Sequence, residues 1–288
     1  MDNIVEIQNL NKSYPHSDFS LKNVSFNIPR GNIVGIIGEN GSGKTTILKA
    51  ILNLISVDSG TILIFGTPNI DDVSVRERVG IVFDDNCFHE NLSPVKIEKI
   101  MRGLYKQWDT KLFYSYCERF RLPPDKKVGA FSKGMKMKFA ITVALSHCPE
   151  FLVLDEATSG LDPVMRDEIL DVFMDFIQNE QHSILISSHI TSDLEKIADY
   201  IVFLDKGQII FSQSKDNLIY KYGLIHCREK DFEQISPEDI LACRKKDFEW
   251  EVLVADREKA SHKYKQCVVD NVTLEELMLM YVKGDVKK

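Results

Sequence analysis

Residues 38–45 read G-E-N-G-S-G-K-T, directly after the apolar run I-V-G-I-I at 33–37. The octet fits G-x-x-x-x-G-K-[ST], a phosphate-binding loop. Gly38, Gly41 and Gly43 let the backbone wrap closely round phosphate, with the amides of Glu39, Asn40 and Ser42 in the same loop. Lys44 has the reach for the β- and γ-phosphates, and Thr45, followed by Thr46, offers a hydroxyl to Mg²⁺. The bland alternative is a glycine-rich turn before an ordinary helix. Average composition gives a chance match on the order of once in a hundred chains of this size. The setting argues further against chance. The run at 33–37 suits a strand buried on both faces, and Ile47, Leu48, Ile51, Leu52 and Ile55 have helical spacing.

Working outward, Val5 and Ile7, then Val24, Phe26 and Ile28, alternate as in half-buried strands, and Pro29-Arg30-Gly31 marks a turn. Ser93-Pro94 reads as a hydroxyl-capped helix start with a stripe at Ile97, Ile100, Met101 and Leu104. A second stripe runs Leu112, Phe113, Tyr116, Cys117, Phe120 and stops before Pro123-Pro124. Strands return at 151–154 and 184–186, with a helix predicted over 163–178, and 201–211 reads as a hairpin turning near Asp205-Lys206-Gly207. Buried strands alternating with helices predict a parallel α/β sheet. Beyond about 212 the texture changes. Phe248, Trp250, Val252 and Val254 alternate as in a half-buried strand, and Thr273 and Glu276 form a capping box before Leu274, Leu277, Met278 and Tyr281.

The 288 residues, 44% hydrophobic, suffice for a sizeable core. A net charge of −7 argues against wholesale nucleic-acid binding. Cys87, Cys117, Cys148, Cys227, Cys243 and Cys267 form no C-x-x-C pair, which suggests reduced, buried thiols in a cytosolic protein. The start, MDNIVEIQNL, lacks the pattern of a signal peptide, and no stretch has the roughly 18 apolar residues of a membrane span. If the protein acts at a membrane, another chain supplies the span.

Two further stretches carry chemistry. F-L-V-L-D-E at 151–156 places Asp155 and Glu156 where a strand meets the carboxyl edge of a sheet. Asp155 could hold Mg²⁺ directly or through water, and Glu156 could accept a proton from an attacking water. Taken alone the pair reads better as a cap on the helix that follows, and the phosphate loop elsewhere in the chain is what favours the chemical reading. F-S-K-G-M-K-M-K at 131–138 has three lysines and reads as a basic patch, a solvated helix face or part of a phosphate site.

In motif order, residues 4–211 resemble the nucleotide-binding subunit of ABC transporters. Gly38–Thr45 is similar to Walker A, and residues 151–156 to Walker B with the catalytic glutamate. Ser159-Gly160-Leu161-Asp162 is similar to the D-loop, and Ser187-Ser188-His189 to the switch-histidine segment. Phe131–Met135 is similar to the signature motif. The resemblance implies a P-loop NTPase cassette with a mixed sheet core, an antiparallel β part and a helical subdomain at about 86–145. The cassette would occupy 1–211, with a small α+β accessory region at 212–288.

The resemblance further implies a dimer sandwiching two ATP molecules. Each ATP would lie on one P-loop and meet Ser132, Lys133, Gly134 and Met135 of the other subunit. It implies Tyr14 stacking on adenine, Lys44, Glu156 and His189 acting in catalysis, Asp162 crossing the dimer, and Mg²⁺ held by Thr45 and Asp155. Tyr14 also reads as a turn aromatic, His189 as a helix-start histidine, and Asp162 before Pro163 as an N-cap.

Two departures stand out. The family's metal-binding Gln is Asp84 here, followed by Asp85, so that Asp84 either ligates Mg²⁺ or only caps a turn. In the signature, Lys133 and Met135 replace Gly and Gln, a pattern similar to two-component bacterial exporters of the GntR-operon, bacitracin and phenol-soluble-modulin branch. Lys133 could offset Asp84 across the dimer, while Lys136 and Lys138 are expected near the nucleotide or in solvent. The function implied is an ATPase that powers export, with a peptide or antibiotic as a candidate substrate. It would work as a homodimer or heterodimer, bound at the inner membrane face to a separate transmembrane permease. The alternatives are a soluble ABC-type switch and a weakly hydrolysing regulatory module.

Overall fold

The computed structural model describes residues 2–68, 72–84 and 88–286. Asp85, Cys87 and the expected start of the helical part at 86 lie outside the described residues.

Among the described residues three sheets organise the chain. The first is antiparallel, with β1 (Asn3–Ser13) between β2 (Ser20–Pro29) and β4 (Ser59–Ile64). The second is built on β3 (Ile33–Ile37), which leads through the glycine loop into α1 (Lys44–Ile51). All five residues of β3 are buried, as its unbroken apolar run requires of a central parallel strand. After α2 (Val73–Arg76) come β5 (Val79–Val82), β6 (Phe151–Asp155), β7 (Ser183–Ser187), β8 (Tyr200–Asp205) and β9 (Gln208–Ser214). The six-stranded order is β5-β6-β7-β3-β8-β9, with β9 antiparallel to its neighbour.

Register sets the site. Ile36 pairs with Ser187, and Ser187 pairs with Asp155, so the ends of three parallel strands share one row. Val82 pairs with Leu154, which brings the chain after β5 to the same edge.

Between β5 and β6 lie α3 (Pro94–Leu104), α4 (Thr110–Arg119) and α5 (Lys133–Ser146). The expected stripe on α3 is only partly buried. Ile97 is buried, but Ile100 is 48% and Leu104 66% exposed, because α3 packs inward through its first turns alone. Ser93 occupies the N-cap without a side-chain hydrogen bond, so Pro94 and backbone bonding start the helix. The second stripe holds, with Phe113, Cys117 and Phe120 buried on α4 and at its end.

The helix α6 (Pro163–Phe176) follows β6, and α7 (Thr191–Ile197) follows β7. The boundary expected near 211 falls inside β9. Beyond it lie β10 (Gly223–Cys227), α8 (Glu229–Phe232), β11 (Ala242–Lys246), β12 (Glu249–Val254), α9 (Arg257–Lys263), β13 (Val268–Asn271), α10 (Leu274–Lys283) and β14 (Asp285–Val286). Their strands form an antiparallel sheet ordered β13-β10-β12-β11-β14.

The half-buried strand expected from Phe248 differs. Phe248 is 95% exposed in the turn before β12, whereas Val252, Leu253 and Val254 are all buried. Both faces of β12 are covered: Val252 and Val254 join a small core with Ala260 and Tyr264, and Leu253 joins the main core. The capping box is present, with Glu276 N donating to Thr273 Oγ1 at 3.1 Å and Thr273 N to Glu276 Oε2 at 2.9 Å. It seats α10 on the cassette, where Leu274, Leu277 and Met280 share the core of β7 and α7 and Tyr281 packs on Phe203 and Phe211. Leu274 N donates to Glu195 Oε1 at 2.6 Å. The five described cysteines are free, but only Cys117 and Cys227 are buried as expected, and burial pushes their thiols up to about 12; Cys148 is exposed and Cys243 and Cys267 are half-buried.

Because α10 closes the cassette core, Leu277→Ala should destabilise the chain by about 2–5 kcal/mol. Calorimetry should then show the main melting transition shifted downward. A low-temperature transition of the C-terminal region alone, with the cassette transition unmoved, would contradict the shared core.

Candidate nucleotide site

The glycine loop leaves β3 at the sheet's carboxyl edge and is shaped by steric need. A Cβ on Gly38 would lie 2.3 Å from Leu204 O. Gly43 has φ +112°, and a Cβ there would lie 2.7 Å from the Phe19 ring. Above Gly41 the space is open, with nothing within 4 Å. The Ser42 hydroxyl is buried without a hydrogen-bond partner among the described residues. An oxyanion at the loop would supply the acceptor that Ser42 lacks.

Lys44, 7% exposed, begins α1. Its Nζ donates to Gly38 O at 2.8 Å and Glu39 O at 3.3 Å, and stands 3.5 Å from Glu156 Oε1. The next residue, Thr45, donates from Oγ1 to Asp155 Oδ2 at 2.9 Å. Ser187 Oγ donates to Asp155 Oδ1 at 2.6 Å. The first turn of α1 and the ends of β6 and β7 thus meet on one carboxylate. The hydroxyl and carboxylate oxygens of Thr45 and Asp155 are hard donors suited to Mg²⁺.

Glu156 departs from the strand with φ +52°, a rare conformation for a residue with a side chain. Its N–H donates to Ser187 O at 3.1 Å and Ser187 Oγ at 3.2 Å, which holds the turn. The turn brings the carboxylate to His189, whose Nδ1 lies 2.6 Å from Glu156 Oε2. Lys44, Glu156 and His189 therefore surround one space. A cavity of about 520 Å³ opens there, lined also by Phe19, Asn40, Gly41, Gly43, Thr45, Thr46, Asp84 and Ser159.

Other expected residues stand apart. Tyr14 is absent from the cavity wall and lies 5.1 Å from Lys12 Nζ. The aromatic at the loop is Phe19, which the sequence reading missed; its signal was a lone ring among Ser17, Asp18 and Ser20 just before β2. Asp162 caps α6, accepting from Val164 N at 3.1 Å and Met165 N at 3.0 Å.

Within one chain the signature segment does not line this cavity. Ser132 caps α5 by accepting from Met135 N at 3.3 Å. Gly134 is buried, and a Cβ there would lie 2.6 Å from Met165 Sδ. Lys133 reaches Asp84 of its own chain at 2.9 Å, so their pairing is within one subunit rather than across two. The basic-patch reading fails because the lysines are individually matched. Lys136 pairs with Glu90 at 3.4 Å. Lys138 is buried, against the expectation for it, and pairs with Glu168 at 2.5 Å. Ser187 is the main residue given no role of its own by the sequence; only register reveals it.

A sequence profile described as ABC transporter matches residues 21–159. The ABC transporter ATP-binding protein YtrB of Bacillus subtilis is 31% identical over 76% of this chain and 75% of its own. The lantibiotic transport ATP-binding protein SrtF of Streptococcus pyogenes is 35% identical over 74% of this chain and 92% of its own. The bacitracin transport ATP-binding protein BcrA of Enterococcus faecalis is 32% identical over 73% and 69%. Among solved structures, an ATP-binding subunit of an ABC transporter superposes with TM-score 0.65 and 27% identity, over 75% of this chain and 91% of that one. The dimeric cassette MJ0796, bound to ADP and Pi, shares the fold with TM-score 0.65 and 23% identity over 73% and 98%. With its strand–loop–helix site and relatives aligned along most of their length, this chain belongs to the ABC transporter family, among the ATP-binding subunits.

Proposed function

We propose that the chain is the ATP-hydrolysing subunit of an exporter, driving transport through a separate membrane protein by ATP-dependent head-to-tail closure of two cassettes. The observation that carries this is the meeting of Lys44, Thr45, Asp155, Glu156, Ser187 and His189 at one sheet edge. Lys44 and the loop amides bind the polyphosphate. Thr45 and Asp155, with Asp84 as a further candidate, would hold Mg²⁺, which would supply charge neutralisation at the phosphates. Glu156, oriented by His189 and by the Ser187-held turn, accepts the proton of the attacking water. Phe19 walls the loop beside Gly43, and Tyr14 remains the candidate for adenine. Ser132, Gly134 and Asp162 sit outside their own chain's cavity, as residues serving a second subunit's nucleotide would.

Among the described residues no helix is long and apolar enough to cross a membrane. The reading assigns the transport path to another chain. A groove suited to that chain lies between β5 and the helical part. It is lined by Ile81, Val82, Phe83, Met101, Tyr105 and Ala140 among others. Burial holds the His147 imidazole below the usual histidine range, which keeps the groove uncharged. Ile81 is 40% exposed beside it, and Ile100 and Leu104 lie on the same helical part. An amphipathic cytoplasmic helix of a permease fits such a surface. The resulting location is the inner membrane face. SrtF and BcrA, as lantibiotic and bacitracin transport proteins, favour a peptide antibiotic as the substrate class.

Glu156→Gln should lower ATP turnover by about 10²–10⁴-fold and leave an ATP-stabilised dimer visible by light scattering. Unchanged turnover would remove the general base. Ser187→Ala should lower turnover by about 10–100-fold, through loss of support to Asp155 and to the Glu156 turn. Full activity in that variant would show that the row of strand ends is not needed for chemistry.

A further inference from the structure

The charges around the nucleotide cavity do not balance from within. Asp84 and Glu156 line it against one lysine, Lys44. Glu156 is matched, with Lys44 Nζ at 3.5 Å and His189 Nδ1 at 2.6 Å. Among the described residues lining the cavity, Asp84 has no cation of its own. Its partner comes from the far side, where Lys133 Nζ lies 2.9 Å from Asp84 Oδ1. Asp84 also lines a second cavity, of about 340 Å³, together with Phe83, Phe131, Lys133, Lys136, Met137 and Ala140. The carboxylate is therefore a wall shared by two cavities, with nucleotide chemistry on one side and Lys133 on the other.

Lys133 is also placed against a third element. Its Nζ lies 3.4 Å from the position a Cβ on Gly160 would take, and Gly160 has φ +70°. The ammonium thus sits between the chain after β5 and the loop before α6, while its own backbone opens α5.

We propose that Lys133 is a positioning residue for Asp84 of the same chain, neutralising the carboxylate at the cavity wall so that an anionic nucleotide can enter. This rests on nucleotide occupying the loop Gly38–Thr45. Among the lining side chains, Asp84 and Glu156 exceed Lys44 by one negative charge without Lys133, and the Asp155 carboxylate stands behind Thr45 as a further one. Lys133 offsets the charge of Asp84. The side chains of Lys133 and Asp84 are 54% and 47% exposed, so the effect is that of a solvent-screened pair. A divalent cation arriving with the nucleotide offsets the same carboxylate. The dependence on Lys133 is accordingly greatest when no divalent cation is present.

The test is titration of a fluorescent ADP into the full chain, shown to be monomeric by light scattering, in EDTA and in Mg²⁺. Lys133→Met should weaken binding about 3-fold in EDTA and distinctly less in Mg²⁺. Lys133→Arg should restore it. In an Asp84→Asn background, Lys133→Met should change nothing. The proposal is overturned by unchanged affinity of Lys133→Met in EDTA, or by equal losses with and without Mg²⁺. It is overturned equally if the loss persists in the Asp84→Asn background, or if an effect emerges only with ATP in a dimer, which would place Lys133 on the second subunit's nucleotide. Lys44→Ala serves as the control for the site itself. If it binds ADP like the parent chain, the loop is not the nucleotide site and the underlying reading fails separately.

Discussion

One hydrogen-bonded row holds the site together. Asp155 accepts from Thr45 and from Ser187, tying the first turn of α1 to the ends of β6 and β7. Ser187 then receives the Glu156 N–H, so the same row fixes the turn that aims the next carboxylate. The parallel register of β3, β7 and β6 brings these residues to one level, and no loop has to search for them. The surrounding apolar strands place the row in a setting where Asp155 is 6% exposed. A charge so placed must be hydrogen-bonded in the resting chain, and its donors are the groups that a bound phosphate and its cation would reorganise.

Much of this was legible in the amino-acid order. An apolar run followed by a glycine loop can form little other than a strand turning into a helix. Four apolar residues before Asp155 and Glu156 likewise place the acids at a strand end. What the sequence withheld was lateral placement. Ser187 looks like any serine ending a strand until register sets it beside Asp155. Phe19 gives no periodic signal, since it lies in a turn and meets Gly43 only through tertiary packing. Alternation at Phe248–Val254 suggested one buried face, but α9 covers one side of β12 and the main core takes the other. Ile100 and Leu104 follow helical spacing and still lie open, because periodicity reports a face and not what covers it.

The lysine-rich segment shows the same limit. Three closely spaced lysines look alike in sequence, yet each has a different acid: Asp84 and Glu90 in the connection after β5, and Glu168 on α6. Lys138 is drawn into the interior by Glu168 and the Phe120 ring, whereas Lys133 stays half exposed beside the nucleotide cavity. The C-terminal region is similarly divided in allegiance. Its sheet has a small core of its own, while α10 and Leu253 belong to the core beneath the ends of β6 and β7. Changes in that region therefore reach the cassette by packing, without a separate linker.

The central claim is that this row and the adjoining Lys44, Glu156 and His189 form an ATP-hydrolysing centre. Steady-state phosphate release by the purified chain, measured beside Lys44→Ala, tests it most directly. Magnesium-dependent turnover that falls on the order of 100-fold in the variant is the predicted result. Turnover that survives loss of the Lys44 ammonium would contradict the account.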